Sequence, residues 1–273
     1  MSSVPDMTAR ISLAMMVCDE EAKIGGALKS AAPWVDEMVI VDFGSKDRTV
    51  EIAKDLGAHV HRGVWLDSFS RARNETLKYC TGDFALVLDA DERIRGNGVE
   101  LLRKHIDEHR DELPPHVVFS ANVINIEADG NVLSEVWQPR LITLDSRLRY
   151  RRRIHNELCL LPNGEVLPPG AINVIPSFNA QGFEIVHWGY DPDLYAARRK
   201  RERAFRLLAM EMAERPDDLA THFYLGRELA FDDQIDKAEV HLRRVVEEGT
   251  DDQAQLREMA ALYLDKYCKE VTT

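Results

Sequence analysis

The sequence predicts an α/β fold in which a mixed sheet, its first part parallel, is flanked by helices and followed by a C-terminal α-helical appendage. Three observations carry that prediction. Short apolar runs alternate with amphipathic stretches as far as Leu88; the pattern between Val117 and Val186 changes to short strands and turns; from Asp193 onward the spacing is strongly helical. The division that follows is a domain over residues 1–192 and an appendage over residues 193–273.

Strands are expected at Ile11–Val17, Glu37–Val41, His59–His61 and Phe84–Leu88, since each is a short apolar or β-branched run bounded by polar or turn residues. Helices at Ala22–Ala32, Thr49–Leu56 and Ser68–Tyr79 separate them, which is the strand-helix rhythm of a parallel sheet. Gly82 breaks the chain before the fourth strand. Val99–His109 then has helical spacing, and Pro114-Pro115 ends it.

Turns at Asp129-Gly130-Asn131, Asn163-Gly164 and Pro168-Pro169-Gly170 point to antiparallel pairing in a region that completes the sheet and walls a cleft. In the appendage, Leu225-Gly226, Leu229, Ala238, Leu242 and Val245 have the spacing of a tetratricopeptide-type helical hairpin, with Gln253–Tyr267 as its cap. A plain helical hairpin with no binding role reads these residues equally well; packing against a partner or a second copy is the alternative.

Composition narrows the function classes. The 273 residues carry a formal net charge of -12, which argues against a protein coated for non-specific nucleic-acid binding. Cys18, Cys80, Cys159 and Cys268 form no CxxC pair, so reduced thiols in a cytoplasm are expected and neither a zinc site nor a disulfide framework is. No amino-terminal leader pattern and no run of roughly 20 apolar residues is present, so a cytoplasmic protein, at most peripheral at a membrane, is expected.

The chemistry is concentrated at two strand ends. Phe84-Ala85-Leu86-Val87-Leu88 runs into Asp89-Ala90-Asp91-Glu92, where carboxylates at i and i+2 of an extended chain lie on one side and can share a divalent cation. A solvated acidic loop is the plain alternative. Val39-Ile40-Val41-Asp42 runs into Phe43-Gly44-Ser45-Lys46-Asp47-Arg48-Thr49, where Asp42 can accept from a ribose or base and Ser45, Asp47 and Thr49 can cap the following helix. A well-capped turn without a ligand fits the same residues.

Taken in order, these motifs resemble the inverting glycosyltransferases of family 2, which have the GT-A fold. Cys18-Asp19-Glu20-Glu21 is similar to that family's Asn-Glu-Glu turn, with Asp19 where Asn is usual. Val41-Asp42-Phe43-Gly44-Ser45-Lys46-Asp47-Arg48-Thr49, Arg73-Asn74 and Leu88-Asp89-Ala90-Asp91-Glu92 match further stations. Gln138-Pro139-Arg140-Leu141, Ile154-His155-Asn156-Glu157 and His187-Trp188-Gly189-Tyr190 resemble those of a soluble subgroup. That subgroup contains lipopolysaccharide-core glucosyltransferase-like proteins and peptide glycosyltransferases, often with tetratricopeptide-like tails.

The resemblance implies a nucleotide-sugar donor, with UDP-sugar expected, and a Mn2+ or Mg2+ ion on Asp91 and Asp89, with His187 as a further ligand. It implies donor contacts from Glu20, Asp42 and Arg73. Inversion needs a base to take the acceptor's proton. Glu157 is the first candidate and His155 the competitor, either of which can instead position the acceptor; Asn156, inserted between them, leaves the register between the two open.

The acceptor is a glycan, a lipid-linked glycan, a peptide or a modified nucleic acid. Five arginines in Arg147-Leu148-Arg149-Tyr150-Arg151-Arg152-Arg153 invite an anionic one, or pair with local acids along an exposed strand. Two other classes compete: a nucleotidyltransferase-like enzyme with a metal-binding acidic pair, and a catalytically inactive partner-binding protein.

Overall fold

The structure, a computed structural model, describes residues 8–127, 129–161, 175–188 and 194–268, with only the backbone described over 194–199. Two compact units result: one holds 8–151 together with 158–161 and 175–188, the other holds Arg152–Glu157 and the residues from Leu194 onward.

The first unit is an eight-stranded mixed sheet. Strands β1 (Ile11–Val17), β2 (Glu37–Asp42), β3 (His59–Arg62) and β4 (Phe84–Val87) fall where the apolar runs place them. They lie in the order β3-β2-β1-β4, all parallel. Nearly every residue of β1 is buried, as a strand covered on both faces requires. Helices α1 (Ile24–Ala31), α2 (Thr49–Asp55) and α3 (Phe69–Leu77) connect the strands. α1 buries Ile24, Ala27, Leu28 and Ala31, one stripe at helical spacing. Ser68 caps α3 by accepting from the Arg71 amide at 3.3 Å.

Beyond β4 the sheet continues through β5 (Glu92–Arg95), β6 (Val118–Ile126), β7 (Val132–Thr143) and β10 (Ser177–His187), with α4 (Gly98–Glu108) after β5. The order is β4-β7-β6-β10-β5, with β6 and β10 parallel and the other pairs antiparallel. These strands were expected to be short, yet β6, β7 and β10 run 9, 12 and 11 residues. Six of the first seven residues of β7 are exposed, so the hairpin extends past the packed core and shows little of the apolar alternation that betrays a strand. The turn at Asp129-Gly130-Asn131 forms, with the Asn131 amide donating to Asp129 Oδ1 at 3.0 Å. The turns expected at 163–164 and 168–170 lie outside the described residues.

A separate two-stranded ribbon pairs β8 (Leu148–Arg151) with β9 (Glu157–Leu160). The second unit contains α5 (Leu194–Glu214), α6 (Leu219–Phe231), α7 (Ile235–Glu248) and α8 (Ala254–Tyr267). Ala238, Leu242 and Val245 are fully buried, as their spacing predicted. Gly226 lets α6 approach α7, since a Cβ there would sit 2.8 Å from Leu242 Cγ. Residues 152–157, expected in the sheet domain, group instead with these helices. Arg152 draws them there: it is 4% exposed and pairs with Asp218 at 2.8 Å, Glu211 at 3.4 Å and the Thr221 hydroxyl at 2.8 Å.

Candidate active site

The carboxyl ends of β1, β2 and β4 lie at one edge of the parallel half of the sheet, where ligands gather in open α/β folds. Each end carries one of the motifs.

The loops after β1 and β2 interlock. The Asp19 amide donates to the Ser45 hydroxyl at 2.9 Å, and Asp19 Oδ1 accepts from the Lys46 amide at 2.7 Å. The amides of Glu20 and Glu21 donate to Thr49 Oγ1 at 2.7 Å and Asp47 Oδ2 at 3.0 Å, and Glu21 accepts from the Arg48 amide at 2.9 Å. Asp19 has φ of 56°, a conformation that Asn and Asp tolerate best, and its accepting oxygen is one that Asn also has. The exchange of Asn for Asp at this position is thereby accounted for.

Asp42 was expected to face the nucleoside. The structure shows it 5% exposed, with its carboxylate accepting from the Gly44 amide at 3.2 Å and the Ser45 amide at 3.1 Å. It holds its own turn, which needs Gly44 at φ of 107°. Asp47 also serves the turn, accepting from the Thr49 amide at 2.9 Å.

At the end of β4 the two carboxylates part company. Asp89 faces Arg73 of α3, whose Nη2 lies 3.0 Å from Oδ1 and 3.2 Å from Oδ2. The Arg73 guanidinium also sits 5.7 Å from the centre of the Tyr150 ring. Asn74 fixes that ring's position by donating to the Tyr150 carbonyl and accepting from its amide, both at 2.8 Å. Asp91 faces His187 of β10, with Oδ2 and Nε2 3.5 Å apart. Strand β5 makes that meeting: Glu92 lies opposite His187 in the ladder, and the Trp188 amide donates to the Asp91 carbonyl at 3.0 Å.

Behind the pair, Glu92 is 2% exposed and receives both the Asp89 amide, at 2.9 Å, and the buried Arg140 guanidinium. Arg93 ties the acidic turn to the loop after β1 by donating to the Lys23 carbonyl at 2.7 Å. Neither β5 nor these clamps was anticipated. The sequence Glu92-Arg93-Ile94-Arg95 carries no apolar run to announce a strand, because its buried members are a glutamate and one isoleucine.

The field at this edge is negative. Burial raises the Glu20 carboxyl above its usual range, and the charges of Asp91 and Asp89 add to the rise against the opposing Lys23 ammonium. Burial would also raise Asp91, but its contact with His187, the Lys23 charge and its own backbone amide outweigh that and hold it low. Among the described residues no three His, Cys, Asp or Glu side chains close around one point, so Asp89 does not complete a three-ligand set with Asp91 and His187. Two protein ligands nevertheless fit a hard cation that takes its remaining ligands from phosphate and water. Ligands each about 2.1 Å from a cation stand about 3.0 to 3.5 Å apart, which the Asp91–His187 separation of 3.5 Å matches.

The two base candidates lie in the second unit. His155 stacks on Tyr224 at 4.1 Å between ring centres, and its Nε2 lies 3.2 Å from Arg227 Nη2. Burial, with Arg227 and Arg152 nearby, pushes its pKa down to about 3. Glu157 is partly exposed, with Arg152 3.8 Å away. Asn156 donates to the Arg152 carbonyl at 2.8 Å.

Four arginines of the run are engaged by neighbouring groups. Arg147 is held by Asp145 at 3.1 Å, Arg149 donates to the Leu148 carbonyl at 2.7 Å, Arg152 is buried among acids, and Arg153 pairs with Glu214. Acids thus pair with Arg147, Arg152 and Arg153, which is the alternative to an anionic acceptor that the sequence also offers.

The model of the family described as "Glycosyl transferase family 2" matches residues 12–160, which contain both acidic motifs. The chain belongs to glycosyl transferase family 2. Its mixed sheet with flanking helices is the GT-A arrangement that the resemblance implied. The chain is similar to a TPR repeat-containing protein of Synechococcus elongatus, 30% identical over 88% of this chain and 57% of that protein. It is also similar to the SPbeta prophage-derived glycosyltransferase SunS of Bacillus subtilis, 23% identical over 88% of this chain and 54% of that protein. The chain thus spans little more than half the length of these relatives. Among solved structures, glucosyl-3-phosphoglycerate synthase from Mycobacterium tuberculosis with Mn2+ and UDP is 28% identical over 31% of this chain and 34% of that chain, with a TM-score of 0.29. S. aureus TarS 1-349 is 14% identical over 94% of this chain and 89% of that chain, with a TM-score of 0.48. No helix among the described residues is long and apolar enough to cross a membrane.

Proposed function

We propose that this family 2 chain is a divalent-metal-dependent, inverting glycosyltransferase that takes a UDP-sugar donor. The observation that carries the reading is the convergence of Asp91 on His187 at 3.5 Å, at a sheet edge where Glu20 and Asp89 add negative charge. Asp91 and His187 would hold Mn2+ or Mg2+, which when bound supplies charge neutralisation for the departing diphosphate without proton transfer.

The chain's own residues do the rest. Arg73, locked on Asp89 and Tyr150, presents a cation on the same side of the sheet edge and suits a phosphate oxygen. Glu20, with its raised carboxyl, is placed to accept from or donate to the nucleoside. The loop after β1 carries Glu20 and is fixed by its ties to the β2 turn, so the donor meets a surface whose ordering cost is already met.

For the proton of the acceptor hydroxyl we propose Glu157 in preference to His155. An imidazole with a pKa of about 3 is a weak proton acceptor, and its ring is engaged by Tyr224 and Arg227.

Thermal unfolding of the wild type and Asp91→Ala, with uridine, adenosine and guanosine diphosphates each with and without Mn2+, tests the reading. A Mn2+-dependent rise with UDP that the variant lacks supports it, since a ligand that binds only the native state raises its stability. A rise with another base moves the donor assignment to that nucleotide. A flat response to all of them rejects donor binding and favours a partner-binding role.

A further inference from the structure

Strand β7 has a neighbour on both sides for only part of its length. β4 pairs with it through Leu141, Ile142 and Thr143, whereas β6 stays paired with it as far as Val132. Among the described residues no strand lies against the β4 side of β7 from Val132 to Pro139. The ladder to β6 is regular from Ser134 to Pro139 and shifts register at each end of that stretch. An open edge of this kind presents backbone N–H and C=O groups at the spacing of an extended chain, and proteins commonly shield it with lysines or a covering element. Here Val132, Leu133, Val136 and Trp137 are exposed instead. Pro139 ends the edge, since it has no N–H to offer.

The charge and the face of this edge narrow its occupant. From Ile126 to Pro139 the chain holds Glu127, Asp129 and Glu135 and neither Lys nor Arg. Glu135 bonds the neutral amide of Asn122, at 2.7 Å. Such an arm repels phosphates and a second copy of itself, and favours a cationic ligand. Ser134 meets Asn125 Nδ2 at 2.9 Å, and Asn125 Oδ1 lies 2.7 Å from His187 Nδ1. The side of β7 that carries Ser134, Val136 and Gln138 is therefore the side on which His187 meets Asp91. Gln138 also accepts from Arg140, the partner of Glu92, at 3.0 Å.

We propose that the open edge of β7 binds an extended, basic segment of an acceptor polypeptide as an added strand. The proposal rests on the donor reading above and names its acceptor class. Backbone pairing supplies affinity with little regard to sequence, while cationic side chains near Glu135 supply preference. An added strand continues the wall that bears His187, so its residues are presented on the face where the donor is proposed to bind. A glycan or a nucleic acid lacks the regular backbone that matches a strand edge.

The test uses the full chain and a pool of hexapeptides with lysine at each end and serine or threonine among randomised central positions. Amide hydrogen exchange, read by mass spectrometry, should slow over the exposed half of β7 when the pool is added. A pool with N-methylated backbone amides, which cannot pair as a strand, should give no protection. Glu135→Lys should weaken binding of the lysine pool by about two- to five-fold and strengthen that of a glutamate-ended pool by a similar factor, the range of a cross-strand charge pair. Val136→Lys, which places a charge on the edge, should lose the protection. With Mn2+ and UDP-glucose, UDP-galactose or UDP-N-acetylglucosamine, members of the lysine pool should gain the mass of one sugar.

Unchanged exchange over β7 overturns the proposal, as does equal protection by the N-methylated pool. Protection that grows with protein concentration in the absence of peptide assigns the edge to a second copy and also overturns it. Should Val136→Lys fail to fold, Glu135→Lys decides: an equal response to both pools shows that the edge does not select by charge. Protection without sugar transfer, in a chain whose unfolding temperature UDP and Mn2+ do raise, rejects the acceptor role. Protection in a chain that UDP and Mn2+ leave unchanged supports strand docking and places the failure in the donor reading.

Discussion

One nitrogen of Arg73 reaches both oxygens of Asp89, at 3.0 and 3.2 Å, so the first carboxylate of the acidic pair is committed to a guanidinium. Replacing the arginine leaves a partly buried carboxylate near Asp91 and Glu20 with its partner gone. Arg73→Met is expected to lower unfolding free energy by about 1–3 kcal/mol, below the range for fully buried pairs because Asp89 retains some solvent. Arg73→Lys is expected to recover only part of this, since an ammonium lacks the planar guanidinium that stacks on Tyr150. Urea denaturation of the three proteins checks both statements; full recovery in the lysine variant would reduce the contact to simple charge.

The Glu92–Arg140 pair is deeper, with residue exposures of 2% and 7%. Removing either partner strands a charge away from water, so Glu92→Gln and Arg140→Met should each cost about 3–5 kcal/mol. The double variant should cost markedly less than the sum, because it strands neither. A double-mutant cycle in denaturant measures the coupling; additive losses would show that the two side chains act independently.

His155 links stability to acidity. Its folded pKa of about 3 lies below the value of about 6.5 for the unfolded chain. Between those values the unfolded state binds a proton that the folded state refuses, so this residue's contribution is complete above 6.5 and is lost as pH falls toward 3. His155→Phe, which keeps a ring against Tyr224, should flatten the fall in stability by up to about 1.4 kcal/mol per pH unit in that window. Denaturation midpoints between pH 7 and pH 4 test this; parallel profiles for the two proteins would contradict it.

In the helical unit, Gly226→Leu should destabilise by about 1–3 kcal/mol despite leucine's better helix propensity, because the new side chain must displace Leu242. Thermal melting followed by far-UV circular dichroism, with Ala260→Gly on α8 for comparison, reads the loss.

The strands and helices up to Val87 were legible because each is a local, periodic element whose burial pattern is written in its own residues. The acidic pair was legible for the same reason. What escaped was long-range. Asp89 and Asp91 look equivalent in sequence, and only the approach of α3 from one side and β10 from the other gives them different partners. Asn125, whose Oδ1 lies 2.7 Å from His187 Nδ1, carries no signal in the sequence, since only strand register brings the two together. The buried contact of Glu92 with Arg140, 48 residues further along the chain, is long-range in the same way. The run of arginines left two readings open, an anionic acceptor or pairing with local acids, because local composition does not count the acids that folding brings to it.

The interlocked turns after β1 and β2 bear on how the donor site can be altered. Asp19, Glu20 and Glu21 take their hydrogen-bond partners from Ser45 through Thr49, and supply theirs in return. Neither turn can therefore be lengthened, shortened or recomposed alone without orphaning groups in the other. Attempts to retune nucleotide preference by randomising one of them should return mostly unstable chains, whereas libraries that vary both in matched pairs search a space in which the scaffold survives.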